Sequence, residues 1–266
     1  MRNLLHANLC RLVRSRVFLF ALLAELAYTA LVVLVCWDHY ATGTGRYTME
    51  SVLTAGYGLM GYLPVPTLII APMLSVYLGT DYSGNTLRNK LIVGHTRSAV
   101  YLADLLTCVL ASVALAGALC VYPVWGMSGV LLRVPVGQML AWIAVALLAR
   151  AAYAALVKLL VTALGNKTAA SIAALLLVAA AALVCASAFS EIQYIERGLA
   201  GEYPVENGEA RLAFWRALVD TLPTGQYIQV SRLDTPHLWR MPLLSLAVMA
   251  AGTGIGLAVF RRKDLK

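Results

Sequence analysis

Six long apolar runs divide the chain, at about 17–37, 57–78, 99–125, 138–163, 168–190 and 239–260. Each is long enough to cross a hydrocarbon core that needs about 20 helical residues. Six crossings put both termini on the same side. Ahead of the first run, residues 1–16 set Leu4, Leu5, Leu9, Leu12 and Val13 on one side of a helix and Arg2, Arg11, Arg14 and Arg16 largely on the other. This pattern predicts an amphipathic helix lying in the membrane interface, or else a basic flank that orients the first span. No small-residue cleavage site follows it, so it is not expected to be a removable signal. Pro64, Pro66 and Pro72 each remove a backbone donor from the second run, which predicts a kink or break near its outer half. Gly165-Asn166-Lys167 reads as a tight turn between the fourth and fifth runs. The long polar segment is 191–238. Within it, Glu209–Leu222 spaces Leu212, Trp215, Leu218, Val219 and Leu222 as one helical face, with Asn207 as its expected cap and Pro223 as its stop. That helix is either a lid on the membrane surface or an ordinary packed loop helix.

Composition agrees with this pattern. Of 266 residues, 61% are hydrophobic and only 13% charged, against roughly a quarter charged in soluble domains. Mean hydropathy is +0.76. The chain is expected to be an all-α integral membrane protein, a single domain over 1–266. Its net charge of +8 would raise nucleic acid in a soluble protein, but no basic patch interleaved with aromatics is present to bind bases. The basic residues sort by loop instead. Arg2, Arg11, Arg14, Arg16, Arg88, Lys90, Arg97, Lys158, Lys167, Arg261, Arg262, Lys263 and Lys266 fall on one face. The opposite loops mix Arg46, Arg133, Arg197, Arg211, Arg216, Arg232 and Arg240 with most of the acids. By the positive-inside rule the termini and residues 79–98 are cytoplasmic.

Glu25, Asp104, Arg150 and Lys158 lie inside the runs, where a mid-bilayer charge costs roughly 2.5–3.5 kcal/mol, so they are expected to face protein or water. Asp104 and Lys158 sit about two turns from the cytoplasmic ends of their spans and are matched in depth for pairing; Glu25 and Arg150 are deeper and form a second candidate pair. Neutralisation between packed helices and proton coupling are both open for them. Cys10, Cys36, Cys108, Cys120 and Cys185 are scattered singly, and His6, His39, His95 and His237 are solitary, so neither a disulfide framework nor a metal site is indicated. Gly126-Met127-Ser128-Gly129 resembles the G-x-S-G of rhomboid intramembrane proteases, but the one candidate base, His237, sits outside the last run beside Pro236. The serine reads as part of a turn, and no catalytic residue is expected.

The densest polar chemistry of the first half is Gly79–Val100, GTDYSGNTLRNKLIVGHTRSAV. It nearly spells a phosphate-binding loop, but Asn85 stands where the lysine is needed and the preceding run is too proline-rich for a buried strand. The alternative is a short polar helix at the membrane surface. Asp81 and Ser83 would cap its start, Leu87, Leu91 and Ile92 would form a narrow apolar stripe among Arg88, Asn89 and Lys90, and Gly94 would end it before Arg97 and Ser98. An ordinary solvated loop is the other way to read this composition.

Asp81 to Leu91, then Gly94-His95-Thr96-Arg97-Ser98 and Tyr101, resembles the segment after the second membrane helix of ABC-2 type transporter permeases. There an acidic residue, a Gly-Thr pair, a basic residue and an apolar run lead to a small-residue-then-Arg step; that family usually has glutamate at the place of Asp81, and no residue at the place of Asn85. The resemblance implies six membrane helices with cytoplasmic termini, in a bacterial cytoplasmic membrane. It implies a pair of permease subunits, alike or related, each contacting a separate ABC ATPase subunit through a coupling helix at about 83–93. The coupling residues it implies are Asp81, Thr86, Leu87, Arg88, Lys90, Leu91, Ile92 and Arg97. ATP and magnesium would be held by the ATPase, with no cofactor on this chain, and the substrate would be exported or cleared from the membrane: an antimicrobial peptide, a lipid or a drug. The competing class is a membrane protein without an ATPase, either a scaffold or receptor-like protein or, more remotely, the rhomboid-like intramembrane serine protease.

Overall fold

The computed structural model describes residues 2–41, 65–84, 86–126, 136–231 and 235–263, with the backbone alone for 32–41, 117–126, 136 and 139. Among the described residues all regular structure is helical: α1 (Arg2–Val13), α2 (Arg16–Ala41), α3 (Val65–Ser83), α4 (Thr86–Ile92), α5 (Arg97–Gly126), α6 (Val136–Leu164), α7 (Lys167–Leu199), α8 (Gly208–Thr221), α9 (Pro223–Ser231) and α10 (Arg240–Arg262). Four of these, α5, α6, α7 and α10, are long and apolar enough over their described side chains to cross a membrane. Only 33% of the most apolar window of α7 and 22% of that of α10 are buried within the chain, so Leu176, Leu183, Leu243 and Ile255 point outward. An apolar surface that continuous marks a lipid or protein partner.

The amphipathic start forms as α1, but its inner face is Leu4, Asn8 and Leu12, spaced one turn apart, while Val13 is 61% exposed. The buried polar residue in that stripe is explained below. α3 continues through Pro72 and through the place expected to cap the next helix: Asp81 and Ser83 belong to the last turn of α3. Ser83 donates back to Gly79 O and Thr80 O, satisfying the end of its own helix and not the start of α4. Residues 57–64, with Pro64, lie outside the described residues, as do Asn85 and Ser128. The end of α4 follows the glycine signal. Gly94 takes φ +96°, its N–H bonds Leu91 O at 3.0 Å and the His95 N–H bonds Lys90 O at 3.3 Å, the two bonds of a Schellman stop.

Gly165 (φ +67°) turns the chain between α6 and α7, and Asn166 caps α7 by accepting from Thr168 N at 2.9 Å. The buried face of α7, including Ala170, Ala174, Val178, Ala182 and Cys185, is built of small residues. They let α3 approach so closely that a Cβ on Gly79 would lie 2.6 Å from Lys167 Cα. The helix runs on to Leu199, so the expected loop from 191 begins as an extension of α7. Beyond it, Asn207 precedes α8 in a left-handed conformation (φ 52°) with no side-chain cap bond, so the expected cap is absent. Pro223 follows the end of α8 as expected, with Leu222 extended before it, and also opens the additional helix α9, as a proline without an N–H to lose can. α8 folds Val219 onto Cys185, Ala188, Phe189 and Ile192 of α7 and Ile228 of α9, with Leu212 and Trp215 packed beside them.

The principal core joins α2, α3, α5, α6 and α7 through Ala21, Leu74, Leu78, Ala111, Leu115, Val157 and Val178. A second cluster closes one end of the bundle, where Leu4 of α1, Leu87 of α4, Tyr101 of α5, Ala155 of α6 and Phe260 of α10 meet. The same end is stapled by helix-terminal cations. Arg97 donates to Phe260 O, Arg261 O and Lys263 O at 2.6–3.1 Å, while Lys263 donates to Thr162 O and Ala163 O at 2.7 and 3.0 Å. Cations are favoured there because the last carbonyls of a helix are unpaired and carry its negative dipole end.

Candidate functional site

Beneath α4 lies a chain of alternating charges. Arg11 of α1 grips Asp81 of α3 with both terminal nitrogens, Nη2 lying 2.9 Å from Oδ2. Lys90 of α4 reaches the same carboxylate at 3.1 Å and Asp104 of α5 at 3.2 Å. Asp104 in turn pairs with Lys158 of α6 at 2.9 Å. Both carboxylates and Lys158 are fully enclosed. Asn8 explains its place on the buried face of α1: it donates to Asp104 Oδ1 at 2.9 Å and accepts from Lys90 Nζ at 3.2 Å. Thr86, opening α4, donates to Asp81 Oδ1 at 2.9 Å. Tyr77 donates to Asn8 O at 2.8 Å and lies under the Arg11 guanidinium, 4.6 Å from its ring centre. The Lys158 ammonium lies 5.2 Å from the centre of the Tyr101 ring.

Charge explains why these residues fit together. Burial alone would push the Asp81 carboxyl up, but the hydrogen bond from Arg11 and the charge of Lys90 outweigh it and hold it below the usual carboxylate range. For Arg11 burial opposes the charge, and the bonds to Asp81 prevail and raise it. Three cations face two carboxylates, leaving one positive charge in surplus when all five are ionised. An enclosed network of this kind constrains more than it stabilises, because desolvation offsets much of the attraction, yet removing one member strands the others at a cost of roughly 3–5 kcal/mol. α4 is thereby tied directly to α1, α3 and α5, and through Asp104 to α6.

The residues that the resemblance groups as one coupling surface are thus divided. Asp81, Thr86 and Lys90 are internal anchors. Leu87 is 2% exposed and packs into the chain's own end cluster, with Leu91 against its edge, so the apolar stripe of α4 faces inward in large part. Arg97 caps α10. What α4 and its stop present outward is Arg88, Asn89, Ile92 (71% exposed) and Val93 (77% exposed).

Glu25 and Arg150 also meet inside the bundle, Arg150 Nη2 lying 3.4 Å from Glu25 Oε1. This contact is looser than the one under α4: Glu25 Oε2 and Arg150 Nε and Nη1 have no hydrogen-bond partner among the described residues. Away from α4, Asp220 of α8 receives Gln229 Nε2 and faces His237 Nδ1, each at 3.0 Å, and Gln226 bonds Asp220 O, Met241 O and Ser245. Polar side chains here join α8, α9 and α10, a connection with no signal in the hydropathy pattern. No three of His, Cys, Asp and Glu among the described residues are grouped as metal ligands. No protein-family model matches the chain, and no curated protein matches it in sequence.

Proposed function

We propose that this chain is the membrane-spanning permease subunit of an ATP-driven ABC exporter of the ABC-2 type, with six spans and both termini in the cytoplasm, acting as one of a pair and driven by a separate ATPase. The observation that carries the proposal is α4: a two-turn helix fixed to the packed end of the bundle by Thr86, Leu87 and Lys90, with Arg88 and Ile92, and Val93 just past its end, facing out. A helix that transmits force between an ATPase and a membrane bundle has to be stiff on its inner side and adhesive on its outer side. The bonds of Thr86 and Lys90 to Asp81 of α3 and the burial of Leu87 support the first, and the exposed Arg88 and Ile92 support the second. Export or clearance of an amphipathic substrate, such as a peptide, lipid or drug, fits a bundle whose outer faces are this apolar.

The test is affinity purification of the tagged chain from its native membrane with identification of what comes with it. Wild type is expected to bring down an ABC ATPase. Arg88→Glu and Ile92→Asp are expected to lose it while inserting normally, since desolvated arginine and apolar anchors are each worth about 2 kcal/mol or more at such interfaces. Full retention of the ATPase by both variants would refute the assignment of α4, and a wild-type preparation free of any ATPase would favour a scaffold or receptor-like protein.

A further inference from the structure

On the side of α1 away from α4, a groove of about 500 Å³ opens between α1, the α1–α2 turn and α3. Its walls include Arg11, Arg14, Ser15, Val17, Tyr77 and Thr80. Arg14 is exposed and no carboxylate among the described residues is paired with it. Ser15 Oγ accepts the Phe18 N–H at 3.4 Å, which leaves its own proton to donate. Arg11 is 37% exposed at the rim of the groove, with both terminal nitrogens on Asp81 and Nε donating to the Tyr77 hydroxyl at 3.3 Å, so Arg14 is the unpaired cation of the groove. The hydroxyls of Tyr77 and Thr80 are already spent on Asn8 O and Tyr77 O, so they shape the wall and do not donate into it. No acidic residue precedes Glu25 in the chain. The polar end is therefore a cluster of donors with net positive charge. The other end is apolar: Val17 lies in the groove, and Phe20, one turn further along α2, is 70% exposed, with Leu23 61% exposed beyond it.

We propose that this groove binds an anionic phospholipid, its phosphate held by Arg14 and the Ser15 hydroxyl beside the partly exposed Arg11, and its acyl chains laid along Val17, Phe20 and Leu23. The proposal rests on placing α1 at the membrane surface, where anionic headgroups lie beside buried acyl chains. It takes one ligand to answer both ends of the groove. A free phosphate satisfies the basic end alone, and a neutral lipid the apolar end alone.

Purified full-length protein is reconstituted into nanodiscs of phosphatidylcholine with or without phosphatidylglycerol, and lipid carried into the gas phase is counted by native mass spectrometry. Phosphatidylglycerol is expected to be retained over phosphatidylcholine, and Arg14→Gln to lose about fivefold of that preference, the weight of one basic residue at an anionic surface. Arg2→Gln, on the same helix but outside the groove, is expected to keep it. Cys10, exposed and also on the groove wall, supplies a second readout. Its alkylation by N-ethylmaleimide, followed by site-resolved mass spectrometry, is expected to be slowed by phosphatidylglycerol more in wild type than in Arg14→Gln. Equal retention of the two lipids by wild type, an unchanged preference in Arg14→Gln, or equal protection of Cys10 by inorganic phosphate would overturn the proposal. Arg14 touches neither the ion network nor the outward face of α4, so ATPase copurification with Arg14→Gln reports separately on the proposed coupling.

Discussion

At the scale of single residues, Asp104 is the hinge of the buried network, because Lys90, Lys158 and Asn8 all converge on it. Asp104→Asn is expected to lower the stability of the folded protein by roughly 3–5 kcal/mol, the cost of stranding buried cations. A double change to Asp104→Leu with Lys158→Met is expected to cost less than the sum of the two single changes, measured by thermal unfolding in detergent; additive losses would mean the pair is not coupled. Asp81 gives the network its acid limit. Its folded value lies below the unfolded one of about 3.9, so its stabilisation is complete above that pH and is lost as pH falls through the lower, folded value. Unfolding temperature is expected to drop on acidification below about pH 4 in wild type and to change less in Asp81→Asn, and identical acid profiles would separate Asp81 from that loss. The pairing of Asp104 with Lys158 is legible in the sequence because two charges at equal depth in apolar runs have few other ways to be neutralised. The roles of Asp81 and Lys90 are not legible, since only the packing of α1 beneath α4 brings them together. One clue was present: Asn8 interrupts the spacing Leu4, Asn8, Leu12 on the face that must be buried.

At the scale of elements, hydropathy locates α5, α6 and α10 to within two residues at each end, but misses the nine residues by which α7 outruns its apolar stretch, and it says only which face of a short helix is apolar, not what will cover it. Leu87 and Leu91 illustrate the limit, since their stripe is claimed largely by Leu4, Tyr101 and Phe260 of the same chain. Proline marks a helix end in one place and not in another. Pro223 follows the end of α8 and opens α9, whereas Pro72 sits within α3, and whether a missing N–H ends a helix depends on position and on neighbours that the local sequence does not show. Close helix crossings yield a sharper test. A Cβ on Gly256 would fall 2.0 Å from the Tyr101 hydroxyl, so Gly256→Ala is expected to cost roughly 1–3 kcal/mol through overpacking of α10 against α5. Tyr101→Phe in the same chain is expected to recover part of that loss; no recovery would place the strain elsewhere.

At the scale of the whole molecule, the proposed orientation rests on the gathering of Arg11, Lys90, Arg97, Lys158 and Lys263 at one end of the bundle. A cysteine placed at Asn207 is expected to react with an impermeant thiol reagent on intact cells and one at Asn89 is not; the opposite pattern would invert the topology. On the proposed topology α7 joins the two sides of the membrane. Its 33 residues make a rod of about 50 Å, some 20 Å longer than a hydrocarbon core. It touches Gly79 near the ion network at its start, and ends in the bridges Arg211–Glu191 and Arg216–Glu196 that fasten α8 to it. Such a rod is a lever. A tilt of about 10° about its first turn would sweep its far tip through about 9 Å, more than the width of one helical turn, carrying α8 with it. Because no member of the ion network lies on α7, such a tilt would displace α8, fastened between Cys185 and Glu196, without carrying any of those salt-bridge partners along with it.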